Sequence, residues 1–375
     1  MQSIIDFRRK LHKHPELSGQ EFATQKRILA FVKQFQPDKI FTVAETGLLV
    51  VFGAQNQGKT IMFRADIDAL PITEKNKTIE YCSRNKGTAH LCGHDGHTAV
   101  LLALAQKLSG KYLKKNKVVL LFQPAEETGY GAKAVIEDDN FEKIKPDYVF
   151  GFHNLPGFTK NTIYIRKKVF AAASKGLIIT FLGKTAHAAE PEKGVNPAFA
   201  IAQLIDFVRN KLNNKKNYSN LAFVTIVHLK VGEKAFGTSP AKAVLMLTLR
   251  AFCDEDMQKM TDLLKNELND ISKREQLKYT VSETDVFPAL VNDANLTDRL
   301  INLLAGAEQK FKILDEPFRW SEDFAYFSQK YPAVFFGIGA GKNIPNLHNP
   351  NYDFPDDIIE PAAKFLLRII FDFEK

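Results

Sequence analysis

The order of apolar and polar residues divides the chain into stretches of two kinds. Between residues 3 and 35, Ile4, Ile5 and Leu11, then Phe22, Ile28, Leu29, Val32 and Phe35, recur with a period near that of a helix, which predicts helices broken at His14-Pro15, where proline cannot continue one. Short runs rich in branched side chains follow: Leu48 to Phe52, Thr60 to Phe63, Val118 to Phe122, Tyr148 to Phe152 and Val334 to Ile338. They are apolar without alternation and read as strands buried on both faces. Helical patterns lie between them, notably Thr98 to Leu108, so the alternation predicts an α/β domain with a mostly parallel central sheet.

The middle of the chain reads differently. From about Lys175 to Asp285 the pattern predicts a strand (Gly176 to Leu182), a helix (Pro197 to Leu212), two strands (Leu221 to Val231, Ala243 to Arg250), a helix (Asp254 to Ser272) and a strand (Leu277 to Glu283). That is an inserted α+β module of ferredoxin-like order. The first pattern then resumes with a helix around Thr297 to Phe311 and closes with a helix from Pro361 to Phe373. The expected organisation is a discontinuous main domain, 1–173 and 288–375, around an insert of residues 174–287.

Composition narrows the class. At 375 residues, with 45% hydrophobic and 25% charged residues, the chain suits a folded protein of more than one domain. Its first ten residues mix acids and bases, and no later segment approaches the roughly 20 apolar residues of a membrane span. Three scattered cysteines, Cys82, Cys92 and Cys253, argue against a disulfide framework and for reduced thiols. A soluble cytoplasmic protein with no membrane partner is expected. The net charge of +8 fits a lysine-rich solvated surface, and no basic stripe interleaved with aromatics points to a nucleic-acid partner.

Candidate chemistry concentrates in Cys92-Gly93-His94-Asp95-Gly96-His97 and Gln123-Pro124-Ala125-Glu126-Glu127. A thiolate and imidazoles suit zinc and its neighbours, while carboxylates accept harder ions such as manganese. Asp66 and Asp68 follow one apolar run, Glu126 and Glu127 another and His153 a third, and His348 lies ten residues beyond a fourth. Each is expected past a strand's carboxyl end, the edge where open α/β sheets bind ligands. Cys92 and His94 are expected in a glycine-rich loop before a helix. Neighbouring side chains at a strand end diverge, so Glu127 is assigned to metal and Glu126 to general base, taking a proton from water and passing it to a departing amine. Asp66 and Asp68 read as residues that orient ligands or cap a loop, with metal ligation as an equal alternative. Five ligand candidates exceed the three usual at one catalytic zinc, and a thiolate can bridge two ions.

These residues belong to a longer series of motifs: Leu11-His12-Lys13-His14-Pro15-Glu16-Leu17, Arg64-Ala65-Asp66-Ile67-Asp68-Ala69-Leu70-Pro71, Cys92 to His97, Gln123 to Glu127, Gly183-Lys184-Thr185-Ala186-His187-Ala188-Ala189 and Ser321-Glu322-Asp323-Phe324. With them the chain resembles, over nearly its whole length, the M20 metallopeptidases, in the amidohydrolase branch of hippurate hydrolases, auxin-conjugate hydrolases and N-acetyldiaminopimelate deacetylases. The resemblance implies a zinc-peptidase-like catalytic domain. It implies two divalent ions per chain held by Cys92, His94, Glu127, His153 and His348, with Glu126, His187 and Asp68 catalytic. It further implies that the insert is a lid and dimerisation domain giving a homodimer, that His187 stabilises the tetrahedral oxyanion, and that Arg250 holds the substrate's free carboxylate. One departure stands out. Where many relatives carry Asn-Val-Ile-Pro, this chain has Gly237-Thr238-Ser239-Pro240, so a substrate-contacting asparagine is missing.

The expected activity is metal-dependent hydrolysis of the amide of an N-acyl amino acid or short peptide analogue by a metal-activated water, with zinc or manganese, or else cobalt or nickel. Two alternatives compete: a biosynthetic deacetylase of the N-acetyldiaminopimelate type, and a non-catalytic relative that binds metal or amino-acid conjugates. Retention of Glu126 beside the full ligand set argues against the last.

Overall fold

A computed structural model describes every residue except Tyr112, Ala307 and Glu308, and the chain divides into two compact units. The first comprises Met1–Phe170, Leu290–Glu316 and Glu322–Lys375; the second comprises Ala171–Ala289 and Pro317–Ser321.

The first unit is built on an eight-stranded sheet, in the order Lys39–Val43, Gly47–Phe52, Lys117–Gln123, Thr60–Asp66, Tyr148–Pro156, Ala333–Gly341, Ile163–Ile165, Phe311–Ile313. The four strands from Lys117–Gln123 to Ala333–Gly341 run parallel. Antiparallel pairing is confined to the hairpin at one edge, to its junction with Lys117–Gln123 and to the contact between Ala333–Gly341 and Ile163–Ile165. The central strands are apolar throughout because both faces are covered. On one face Phe63, Leu120, Phe150 and Phe336 share a core with the helices Gln2–Lys13, His94–Leu108 and Ile359–Phe373. On the other, Met62, Val119, Leu121 and Phe335 are equally buried. Helix His94–Leu108 is buried almost all round, as its continuous apolar sequence requires.

The second unit has a four-stranded antiparallel sheet in the order Ala222–Val231, Lys242–Ala251, Ala173–Leu182, Lys278–Phe287. Numbered along the chain that order is 2-3-1-4, the ferredoxin-like arrangement. Strand Lys242–Ala251 alternates inward and outward residues, since only one face meets the core formed with helices Ala198–Phe207 and Asp254–Arg274. A short ribbon pairs Ala186–His187 with Thr238–Ser239.

Three expectations need correction. The helix read as beginning at Thr98 begins at His94, so His94 opens the helix and only Cys92 lies in the loop. The helix read as Thr297 to Phe311 is Ala294–Ala305, and Phe311–Ile313 is a strand paired with Ile163–Ile165; Ala307 and Glu308 lie outside the described residues. His153 sits within its strand, which runs on to Pro156, and not past the strand's end. Caps extend the two helices toward their N-termini, and strand pairing claims Phe311–Ile313 and carries Tyr148–Pro156 past His153.

Candidate metal centre and active site

The site grows from the carboxyl ends of the parallel strands. Asp66 ends its strand, and Asp68 follows two residues on. Beyond Lys117–Gln123 the chain turns sharply: Ala125 has a φ of 54°, its N–H donates to Glu21 Oε1 at 2.9 Å, and a Cβ on Gly131 would lie 1.7 Å from the Pro124 carbonyl. That turn presents Glu126 and Glu127. Gly93 caps the helix with a φ of 98°, where a Cβ would lie 2.6 Å from Asn154 Oδ1. His348 has a φ of 64°, and its N–H donates to the Leu91 carbonyl at 2.8 Å. Left-handed backbone at non-glycine residues costs on the order of 1–3 kcal/mol and gathers at functional positions.

The donor atoms meet in overlapping groups. Cys92, His94 and His153 place one donor atom each within 4.8 Å of one another, and so do Cys92, Glu127 and His348, and His94, Glu126 and Glu127. Cys92 Sγ is 3.4 Å from His153 Nε2, and Glu127 Oε1 lies 3.8 Å from His94 Nε2 and 3.7 Å from His348 Nε2. His94 Nε2 and Glu127 Oε1 are both buried without a hydrogen-bond partner among the described residues. A thiol, imidazoles and a carboxylate converging with two orphaned buried atoms fit divalent cations, since buried polar atoms otherwise find partners.

Orientation comes from the surrounding hydrogen bonds. Asp68 Oδ1 and its own carbonyl oxygen each lie 3.0 Å from His94 Nδ1, which leaves Nε2 facing the cluster. Asp68 Oδ2 accepts from Ser18 Oγ and from the Glu127 N–H. His153 Nδ1 faces the Asn154 carbonyl at 2.8 Å. Asp66 accepts from Arg64 Nη1 at 2.8 Å and pairs with His97 Nδ1 at 2.6 Å, while the other ring nitrogen of His97 meets Asn154 Oδ1. His97 is therefore committed to positioning.

Charge is unevenly balanced. Burial, then Glu322, Glu127 and Asp323, push the Glu126 carboxyl well above the usual carboxylate range against the opposing pull of Arg64. Burial pushes Glu127 up to about 7, partly offset by His94. The Cys92 thiol is driven well up by burial and by Glu127 and Glu126. Burial opposes protonation of His94, but Asp66 and Asp68 outweigh it and raise the ring to about 10. Cations placed among these groups would relieve the crowding of negative charge. Behind Glu126, Arg64 reaches Glu322 at 2.9 Å and Asp323 at 2.7 Å, and Gln123 donates to Asp323. Sequence reading singled out Glu322 and Asp323 only as a motif, because side chains some 200 positions from Gln123 meet it only through the fold.

The other two site candidates lie in the second unit. His187 is exposed in the short ribbon, paired with Thr238, and its Nδ1 accepts from the Ala189 N–H at 3.1 Å. Arg250 lies on Lys242–Ala251 opposite Ser174 and donates to the Arg319 carbonyl at 2.9 Å and to Ser321 Oγ at 3.0 Å. No carboxylate pairs with it among the described residues, and burial lowers its proton affinity.

With these features in place, comparison with known proteins defines the class. Residues 62–372 match the model of Peptidase family M20/M25/M40, and the chain belongs to that family. It is 30% identical to a hippurate hydrolase of Campylobacter jejuni, over 98% of this chain and 96% of that protein. It is 34% identical to an N-acetyl-L-cysteine deacetylase of Bacillus subtilis, over 97% of this chain and 86% of that protein. The crystal structure of the Bacillus subtilis YXEP protein, described as a dinuclear metal-binding peptidase of the M20 family, superposes with a TM-score of 0.82 at 27% identity, covering 98% of this chain and 97% of that one. The protein is thus a hydrolase of the M20 type that acts on amide bonds and uses divalent metal. No helix among the described residues is long and apolar enough to cross a membrane.

Proposed function

We propose that the protein hydrolyses the amide bond of N-acyl amino acids, with two divalent ions, zinc or manganese, held by Cys92, His94, Glu127, His153 and His348. The observation that carries this reading is the pair of donor triads sharing Cys92 beside the buried carboxyl of Glu126. When bound, the cations supply Lewis acidity, polarising the carbonyl oxygen and easing ionisation of water.

The remaining work falls to the chain. Glu126 takes a proton from the attacking water as its oxygen bonds to the carbonyl carbon, then delivers that proton to the nitrogen as the C–N bond breaks. Burial beside Glu322 and Asp323 places that carboxyl away from bulk water, where the proton stays between the two steps. Asp68 fixes the ring of His94 through Nδ1. His187 donates to the developing oxyanion, and Arg250 binds the substrate carboxylate in place of the acid partner it lacks. A backbone amide or the hydroxyl of Thr238 or Ser239, in the ribbon beside His187, takes over the hydrogen bond of the missing asparagine.

We assign the first unit as the catalytic domain and the second as a lid and dimerisation domain. Its outer strand Ala222–Val231 supports the latter role: beyond Val224, whose backbone is taken by the Asn213 side chain, it has no further strand beside it among the described residues and exposes Ile226, Val227 and Leu229, features suited to antiparallel pairing with a second copy. The unpaired state of Cys82, Cys92 and Cys253 supports a cytoplasmic setting.

A narrower reading, a deacetylase restricted to N-acetyl substrates, is favoured by the 34% identity to the N-acetyl-L-cysteine deacetylase. One experiment addresses both. Apoenzyme reconstituted separately with zinc, manganese, cobalt and nickel is assayed on acetyl and benzoyl amino acids, with Glu126→Gln as control. Turnover of both acyl classes supports the broad reading, and acetyl substrates alone the narrow one. The control should retain its metal and lose several orders of magnitude in turnover. Full activity in it would remove Glu126 from the base's role.

A further inference from the structure

Arg8, on the N-terminal helix, is fully buried although an arginine on a helix facing water would be solvated at no cost. Its guanidinium gathers three carboxylates: Nη1 is 2.9 Å from Asp95 Oδ2 and 3.0 Å from Asp353 Oδ1, and Nε is 2.6 Å from Asp356 Oδ1. These acids come from two separate segments. Asp95 follows His94 directly and stands three residues after Cys92, in the first turn of the central helix. Asp353 and Asp356 close the loop that carries His348.

Other contacts reinforce the same junction. His12, one helical turn beyond Arg8, places Nδ1 2.9 Å from Asp95 Oδ2 and Nε2 3.1 Å from Glu74 Oε1. Both ring nitrogens face carboxylates, so each carries a proton and Asp95 meets two cations. The Tyr81 hydroxyl donates to Asp353 Oδ2 at 2.6 Å, and its ring lies 5.0 Å from the Arg8 guanidinium. Asn154, next to His153, donates to the hydroxyl of Tyr352, which precedes Asp353. Segments bearing four of the five assigned metal ligands therefore meet at this buried network, yet none of its members belongs to the ligand groups.

Burying an ion cluster is a poor way to gain stability, because desolvation offsets most of the attraction, and apolar side chains of similar volume often do as well. The hydrogen bonds from Arg8 Nη1 to Asp95 and Asp353 are directional, and they fix register. We propose that Arg8, seconded by His12, is a positioning residue for the two-metal site, holding the His348 loop in register with the segment that carries Cys92 and His94. This rests on the metal reading above.

The test uses full-length apoprotein titrated with cobalt(II), reading stoichiometry, affinity and the visible absorption of the bound ions, alongside thermal melting. Arg8→Met combined with Asp95→Asn removes both charges, so no buried acid is stranded at Asp95. Arg8→Lys keeps the charge but cannot span three partners. Arg9→Met, at a partly exposed arginine on Asp356, is the control. The expected result is cooperative melting in the double variant, loss of roughly ten- to a hundred-fold in affinity for at least one cobalt ion with an altered spectrum, and partial rescue by lysine. Wild-type affinity and spectrum in both Arg8 variants would overturn the proposal. If the double variant fails to fold, Arg8→Lys decides by the same criterion. Wild-type protein that binds no cobalt would sink the metal reading itself, a result distinct from two tightly bound ions that ignore Arg8.

Discussion

Asp68 illustrates what one side chain contributes. Its Oδ1, with its own carbonyl oxygen, fixes Nδ1 of His94, and its Oδ2 holds the backbone N–H of Glu127, so one carboxylate orients two assigned ligands. Asp68→Asn keeps the shape but substitutes an amide N–H for one acceptor oxygen. Metal affinity should fall roughly ten- to a hundred-fold, the usual effect of removing a group that orients a ligand, while the apoprotein folds normally. Competition with a chelator measures it, and unchanged affinity would show that the ring is oriented without this contact. At this scale the sequence was legible in residue type: a thiol, imidazoles and paired acids announce metal chemistry. It was not legible in partnership. His97 stands in the same motif as His94, yet its nitrogens are taken by Asp66 and Asn154. The pairing depends on the helix starting at His94, which sets His94 and His97 three residues apart on one face of its first turn.

Elements were read well where the pattern carries them and poorly where a neighbour does. The buried strands follow from unbroken apolar runs, whereas Lys39–Val43 and Phe311–Ile313 mix lysine with apolar residues and are strands because of what they pair with. The N-terminal helix supplies a prediction at this scale. Burial disfavours a charged His12, but Asp95 and Glu74 outweigh it and raise the ring from 6.5 to about 9. A group bound more tightly by protons in the folded state stabilises fully below its unfolded pKa and loses that contribution as pH rises through the folded one. The apoprotein should therefore lose stability, on the order of a few kcal/mol at most, between about pH 6.5 and pH 9. Thermal melts across that window should show a decline that His12→Gln flattens. An identical slope in the variant would assign the decline to other groups.

Across the whole molecule, the change from strands buried along their whole length to the alternating burial of Lys242–Ala251 marks a change from a sheet covered on both faces to one covered on a single face. The two modules are visible in the sequence through the order of their elements, and the pairing of strands within each comes from the fold. In the proposed function the modules divide the labour: metal ligation falls to the first unit and recognition of the substrate carboxylate to Arg250 in the second. The Arg319 carbonyl and Ser321 Oγ fix the Arg250 guanidinium, and no carboxylate pairs with it among the described residues, which suits the proposed role. Arg250→Met should leave the metal content unchanged and raise KM roughly ten- to a hundred-fold, the equivalent of about 1.5–3 kcal/mol for a hydrogen bond to a charged group. The discriminating comparison is between an N-acyl amino acid and its C-terminal amide. Wild-type enzyme should prefer the free acid, and the variant should treat the two alike, because the amide has no charge for the guanidinium to meet. A variant that keeps the full preference would place carboxylate recognition on another side chain, and one that loses metal would tie Arg250 to the architecture of the first unit.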